Sequence, residues 1–186
     1  MTNLFKTRCG YMLTYKGALQ VELDEIFRGL EEAVYDLTNE QVWGFPLANH
    51  HNITTLFMHT IYSLDKFYCV YQGGTQILKE PNIKFNIWDN TPEQLRPMMV
   101  NLPTVGQMLD WLHCIRDETL KILDGLHEDD LLKFPPGEIS KSNIEDGQTR
   151  LTVYMRGIGH AHGHIKQIWM LKGIMGHKSW PEQLWA

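Results

Sequence analysis

Apolar residues recur along most of this chain at steps of three and four, the period of a helix buried on one side. From Thr14 to Leu37 the stripe is Leu19, Leu23, Ile26, Phe27, Leu30, Val34 and Leu37, with acids between. A second run spans Ile53 to Tyr71 through Leu56, Phe57, Leu64 and Phe67. Asn52 stands before it as an N-cap, and Gly73-Gly74 closes it. A third starts at the capping box Thr104-Val105-Gly106-Gln107 and runs to about Gly125 through Met108, Leu109, Leu112, Ile115, Leu120 and Leu123. A fourth, from Thr149 to Met175, is stopped by Gly176. No stretch reads as a convincing sheet strand, although residues 138–149, with the Asp146-Gly147 turn, suit a small hairpin. The expectation is an all-α chain built as a four-helix bundle.

The connections refine this. Residues 72–103 form a linker of about thirty residues containing Pro81, Pro92, Pro97 and Pro103, with a one-turn helix starting at Thr91-Pro92. A linker that long has work to do in a compact domain. It suits a crossover between the second and third helices, running the length of the bundle so that both point the same way. The sequence Leu37-Thr38-Asn39-Glu40-Gln41-Val42-Trp43-Gly44-Phe45-Pro46 parallels the stretch from Leu126 to Pro135, which also ends in Phe134-Pro135. The first and third helices thus leave their C-termini alike, the mark of a weak internal repeat.

Composition narrows the function classes. The 186 residues show no break in composition, so residues 1–186 read as one domain. The net charge of -5 and the lack of any basic block argue against nucleic acid as a partner. No apolar run reaches membrane-span length, and the first residues lack a signal-peptide core, which makes the cytoplasm the expected compartment. Cys9, Cys69 and Cys114 fit neither a disulfide framework nor a paired-cysteine metal knuckle.

The candidate chemistry lies in the fourth helix, in His160-Ala161-His162-Gly163-His164-Ile165-Lys166-Gln167-Ile168. At about 100° per residue, His160 and His164 share a face and His162 points the other way. Two neutral imidazoles one turn apart are a two-point grip for a metal. No Glu follows His160, which rejects a HExxH protease. A third ligand must come from elsewhere. His59, inside the second helix, and His113, on the third, both compete for that place. His50 and His51 precede the second helix and read as solvated, while His127 and His177 sit at turns or ends.

The chain resembles the DinB/YfiT-like superfamily of metal-dependent enzymes. The resemblance rests on His160, His164, Gln167 and Ile168 in the last helix, and on the run Asn52 to Ile61 containing His59. It covers nearly the whole chain. It departs at Lys166, where the family often has Gly, and at Asp65, whose phase is wrong for a direct ligand. The resemblance implies an up-down-down-up bundle in which His59, His160 and His164 bind one divalent metal. Zinc leads, with nickel, manganese or iron as alternatives. It implies a small-molecule substrate, activated as water by a hydrolase or as a low-molecular-weight thiol by a thiol S-transferase. Gln167 shares a face with His160 and is a candidate to orient a ligand or substrate. The competing readings are a non-catalytic bundle holding metal, a small ligand or a stress-response partner, and a helical interaction protein without metal. The second apolar side of the last helix, Ile158, Ile165 and Trp169, suggests a homodimer.

Overall fold

A computed structural model of the chain describes residues 5–6, 12–48, 50–78, 92–95, 102–136 and 148–177. It is helical apart from one two-residue ladder. The helices are α1 (Tyr15–Val34), α2 (Asn39–Trp43), α3 (Ile53–Leu64), α4 (Pro92–Leu95), α5 (Val105–Asp124) and α6 (Arg150–Ile174). A 3-10 turn spans Glu128–Leu132. Two short strands, β1 (Phe5–Lys6) and β2 (Met12–Leu13), pair antiparallel. Two residues are too few to show a period in the sequence, and the ladder leaves the helical class unchanged. Most of the suggested hairpin at 138–149 and the aromatic tail after His177 lie outside the described residues.

Each element starts where short-range chemistry tells it to. Thr14, Asn52, Thr104 and Thr149 accept hydrogen bonds from the backbone N–H groups of Gly17, Thr55, Gln107 and Thr152. Asn52 does more. It is fully buried, its Oδ1 also takes the Thr55 hydroxyl at 2.7 Å, and its Nδ2 donates to the Trp43 carbonyl at 2.7 Å. This locks the start of α3 to the end of α2, so Asn52 has a structural role here. The two matching turns share a device as well. Thr38 N–H donates to Gln41 Oε1 at 2.7 Å, and His127 N–H donates to Asp130 Oδ2 at 2.9 Å.

The second long helix departs from expectation in kind. After Leu64 it widens into a π-helix, Asp65–Val70, in which Tyr71 N–H reaches back five residues to Lys66 O at 2.9 Å. Asp65 turns inward there, fully buried, and accepts from Leu78 N–H at 2.8 Å and from Ile77 N–H at 3.1 Å. Gly73 then takes a left-handed φ of 91°, which ends the helix as the glycine pair predicts.

The long helices meet in pairs. α6 packs on α1 and α3, and α5 packs on α1 and α3. Along α1 and α6, Glu22 meets His162, Gly29 meets Ile165 and Asp36 meets Lys172. Along α3 and α6, His59 meets His164 and Tyr68 meets Tyr154. Along α1 and α5, Asp24 meets Arg116 and Gln20 meets Asp124. Cys69 meets Thr119 between the π segment and α5. Ile158, Ile165 and Trp169 are all buried within this chain, which makes α6 central. The side of α6 that suggested a dimer is therefore occupied by the chain itself.

Two contacts fix the position of α6. The Tyr68 ring lies so close to Gly157 that a Cβ there would stand 2.5 Å from it. The Tyr68 and Tyr154 rings also stack at 5.2 Å, and the Tyr68 hydroxyl donates to Tyr154 O at 3.3 Å. At the far end Lys172, only 4% exposed, reaches Asp36 Oδ1 at 2.5 Å and Glu32 O at 3.3 Å. A buried ammonium is tolerated only with such partners. Gly157→Ala is expected to cost about 1–3 kcal/mol through overpacking against Tyr68. Gly163→Ala, in mid-helix, meets nothing within 4 Å among the described residues and should gain up to about 1 kcal/mol. Equilibrium urea unfolding of both variants checks the contrast.

Candidate metal centre

α3 and α6 carry the site because their contacts place His59 opposite one turn of α6. His160 and His164 lie on the same face of that turn. The three rings form a triangle, with centroids 5.1 Å apart for His59 and His160, 5.0 Å for His59 and His164, and 4.5 Å for His160 and His164. One nitrogen from each lies within 4.8 Å of the others, so the group can hold a metal ion. Bonds from imidazole to zinc are about 2.0–2.1 Å, so small ring rotations close the three nitrogens on one ion. Among the described residues no fourth His, Cys, Asp or Glu joins the group.

The surroundings suit metal ligation. Burial is the main cause that lowers the His160 pKa to about 4, with the His164 and Arg156 charges adding to it. Burial also lowers His164, helped by His51 and opposed by the Gln167 hydrogen bond. Both rings are thus neutral at ordinary pH, as ligands must be. His160 Nε2 is shielded from solvent and has no hydrogen-bond partner among the described residues. A buried, unsatisfied nitrogen at the centre of three imidazoles is costly unless something accepts its lone pair. His164 Nδ1 lies 2.7 Å from Gln167 Oε1. The amide oxygen can only accept, so His164 carries its proton on Nδ1 and presents a bare Nε2.

Each candidate from the sequence has a definite place. His59, His160 and His164 come together. His113 does not join them: it lies exposed on α5, with Nε2 3.5 Å from Glu31 Oε2. His162 faces α1, with Nε2 3.8 Å from Glu22 Oε2, in keeping with its opposite phase. Gln167 supports His164 rather than His160, because a side chain three residues along a helix is within reach. Asp65 stays out of the site and holds the 77–78 backbone instead. Burial raises its carboxyl pKa, offset by the Ile77 and Leu78 N–H groups. Burial likewise pushes the Cys69 thiol up to about 12, which makes it an inert core residue. His51 is the residue the sequence misplaces. It is half-buried and near enough to His164 to lower its pKa, whereas His50 is exposed.

Comparison with known proteins adds fold information only. No protein-family model and no curated protein matches the chain. Among solved structures it is similar to a conserved protein from Enterococcus faecalis, with 18% identity and a TM-score of 0.66. The match covers 88% of this chain and 99% of that one.

Two outcomes follow from this geometry. Replacing Gln167 by Leu removes the acceptor that fixes the His164 tautomer and should weaken metal affinity about 10–100-fold, read by competition with a chromophoric chelator. In metal-free protein, the folded His160 stays neutral while the unfolded one takes up a proton near pH 6.5. Stability should therefore fall as pH drops from about 6.5 to 4. Urea unfolding of metal-free protein across that range, with His160→Gln as the flattened control, measures it.

Proposed function

We propose that the chain is a metal-dependent enzyme of the DinB/YfiT-like type, holding one divalent metal on His59, His160 and His164. One observation carries this reading: three imidazoles converge, with a shielded His160 Nε2 that lacks a hydrogen-bond partner among the described residues. The pairwise contacts support the up-down-down-up four-helix bundle that goes with it. Residue numbers rise together along α1 and α6, and run oppositely along α1 and α5 and along α3 and α6.

Three protein ligands leave coordination positions for exogenous groups, the pattern of catalytic rather than structural sites. Zinc is the first choice for a three-imidazole set, with nickel, manganese and iron also compatible. Such a metal supplies Lewis-acid activation of water or of a low-molecular-weight thiol near neutral pH. The chain's residues do the rest. Gln167 holds the proton of His164 on Nδ1 and aims Nε2 inward. Ile61, Leu64, Ala161 and Ile165 bury the helices beside the site and make it rigid. Among the described residues neither free thiol, Cys69 nor Cys114, is part of the histidine group. No helix among the described residues is long and apolar enough to cross a membrane.

Elemental analysis of protein purified without a histidine tag tests the reading. The expected result is about one equivalent of a divalent transition metal, lost in His160→Ala. Less than about a tenth of an equivalent, unchanged by that substitution, removes the metal reading.

A further inference from the structure

His59 and Tyr68 lie on one continuous helical run, and both meet α6. His59 meets the His160 and His164 rings at 5.1 and 5.0 Å, while Tyr68 stacks on Tyr154 at 5.2 Å and lies against Gly157. A regular α-helix would not allow both. At about 100° per residue, the step from 59 to 68 turns about 900°, which leaves the two side chains about 180° apart. The π segment resolves the conflict. Its wide turn, closed by Tyr71 N–H on Lys66 O at 2.9 Å, takes in one residue more than an α turn and removes up to about 100° of rotation. That brings Tyr68 round toward the side of His59. Phe67, from the same turn, meets the His160 ring edge-on at 6.2 Å. The histidine triangle and the Tyr68 contact coexist only while this turn stays wide.

A π turn is rare in a helix, and something has to hold it. Asp65 opens the segment and is fully buried. A buried carboxylate is costly unless donors reach it, and here the chain returns to supply them. After Tyr71 the backbone turns at Gly73, and Gly74 N–H closes on Cys69 O at 2.9 Å. A Cβ on Gly74 would stand 2.7 Å from Ile122 Cδ1, so this turn is pressed against α5. The next residues come back alongside Asp65. Leu78 N–H donates to its carboxylate at 2.8 Å and Ile77 N–H at 3.1 Å, and Leu78 is itself buried in the core. The Cys69 thiol donates to the same carboxylate and lies 3.9 Å from the Thr119 hydroxyl of α5. Asp65 thus ties the start of the π segment to Cys69 near its end and to the backbone that follows it.

We infer that Asp65 is a positioning residue for the histidine centre: its carboxylate, clasped by the 77–78 backbone, holds the π turn open and keeps His59 and Tyr68 on one side of the second long helix. The route runs from Asp65 through the wide turn to Tyr68, and from Tyr68 through Gly157 to the height of His160 and His164. The inference rests on the metal reading above. It goes beyond that reading by giving a residue outside the histidine group a share in the metal affinity of the centre.

The test measures cobalt(II) affinity of the full-length protein by competition with a chromophoric chelator, and reads ligand geometry from the visible cobalt spectrum. Asp65→Leu removes the clasp and should weaken binding about tenfold or more, with an altered spectrum. Asp65→Asn keeps the shape with one acceptor oxygen fewer and should fall between. Deleting Lys66 in the Asp65→Leu background lets the turn close as an α-helix while keeping His59 and Tyr68 on one side. That combination should recover most of the affinity and the wild-type spectrum. Leu112→Ala empties a buried α5 position two turns before Thr119, and should destabilise the fold without changing cobalt affinity. Should Asp65→Leu fail to fold, the same comparison and rescue are made with Asp65→Asn. Wild-type affinity and spectrum in the Asp65 variants overturn the positioning role and leave the metal reading standing. So does an equal loss in Leu112→Ala, or a loss that deleting Lys66 does not reverse. Wild-type protein that takes up no cobalt removes the metal reading and the positioning role with it.

Discussion

The close approach of Tyr68 to Gly157 is the contact on which the rest depends. A ring from the π segment lies where residue 157 would otherwise carry a side chain. That fixes the distance between the second long helix and α6, and also the height at which they pass. His59 is nine residues before Tyr68 on one helix, and His160 three residues after Gly157 on the other. Once the ring and the glycine are in register, the antiparallel run of the two helices puts the histidines opposite each other. Lys172 and Asp36 do the complementary job against α1, where a buried ammonium tolerates few alternative positions. The histidine triangle is thus set by packing elsewhere along the two helices, not by the histidines finding one another.

Much of the architecture was legible because its signals are local. Asn52, Thr104 with Gln107, and Thr149 act on backbone groups three residues away, so reading a few residues suffices. The apolar stripes of α1 and α5 say which side is buried for the same reason. The π-helix was not legible. Leu64 and the residues after it keep their apolar character, and inserting one residue into a turn leaves no mark in side-chain type. It shows only in the backbone bond from Tyr71 to Lys66 and in the inward turn of Asp65.

The site was legible in part, and the boundary is instructive. Spacing alone pairs His160 with His164 and sets His162 aside, and the structure agrees on both counts. Spacing could not choose between His59 and His113, because that choice depends on which helices are neighbours. The family resemblance favoured His59, and the fold brings His59 to the pair while turning His113 toward Glu31. Gln167 was placed on the right face but beside the wrong ring: seven residues return it to the direction of His160, while three bring its amide to His164. His51 had no signal at all. It lies in the connection before a cap, where no period applies, and only the packing of α3 on α6 brings it near the centre.

His59 and His160 are about a hundred residues apart in the chain, separated by the long proline-containing linker and the whole of α5. Any occupant that bonds to both acts as a removable cross-link closing a very large loop. Bringing such distant segments together carries an entropic cost that grows with the logarithm of the loop, and the bound state needs it already met. The folded chain has met it through Tyr68 and Gly157. Occupancy therefore adds its full binding free energy to the folded side of the equilibrium, with a strength that depends on concentration. A metal held on those three side chains, as proposed, would make the stability of the fold depend on its supply.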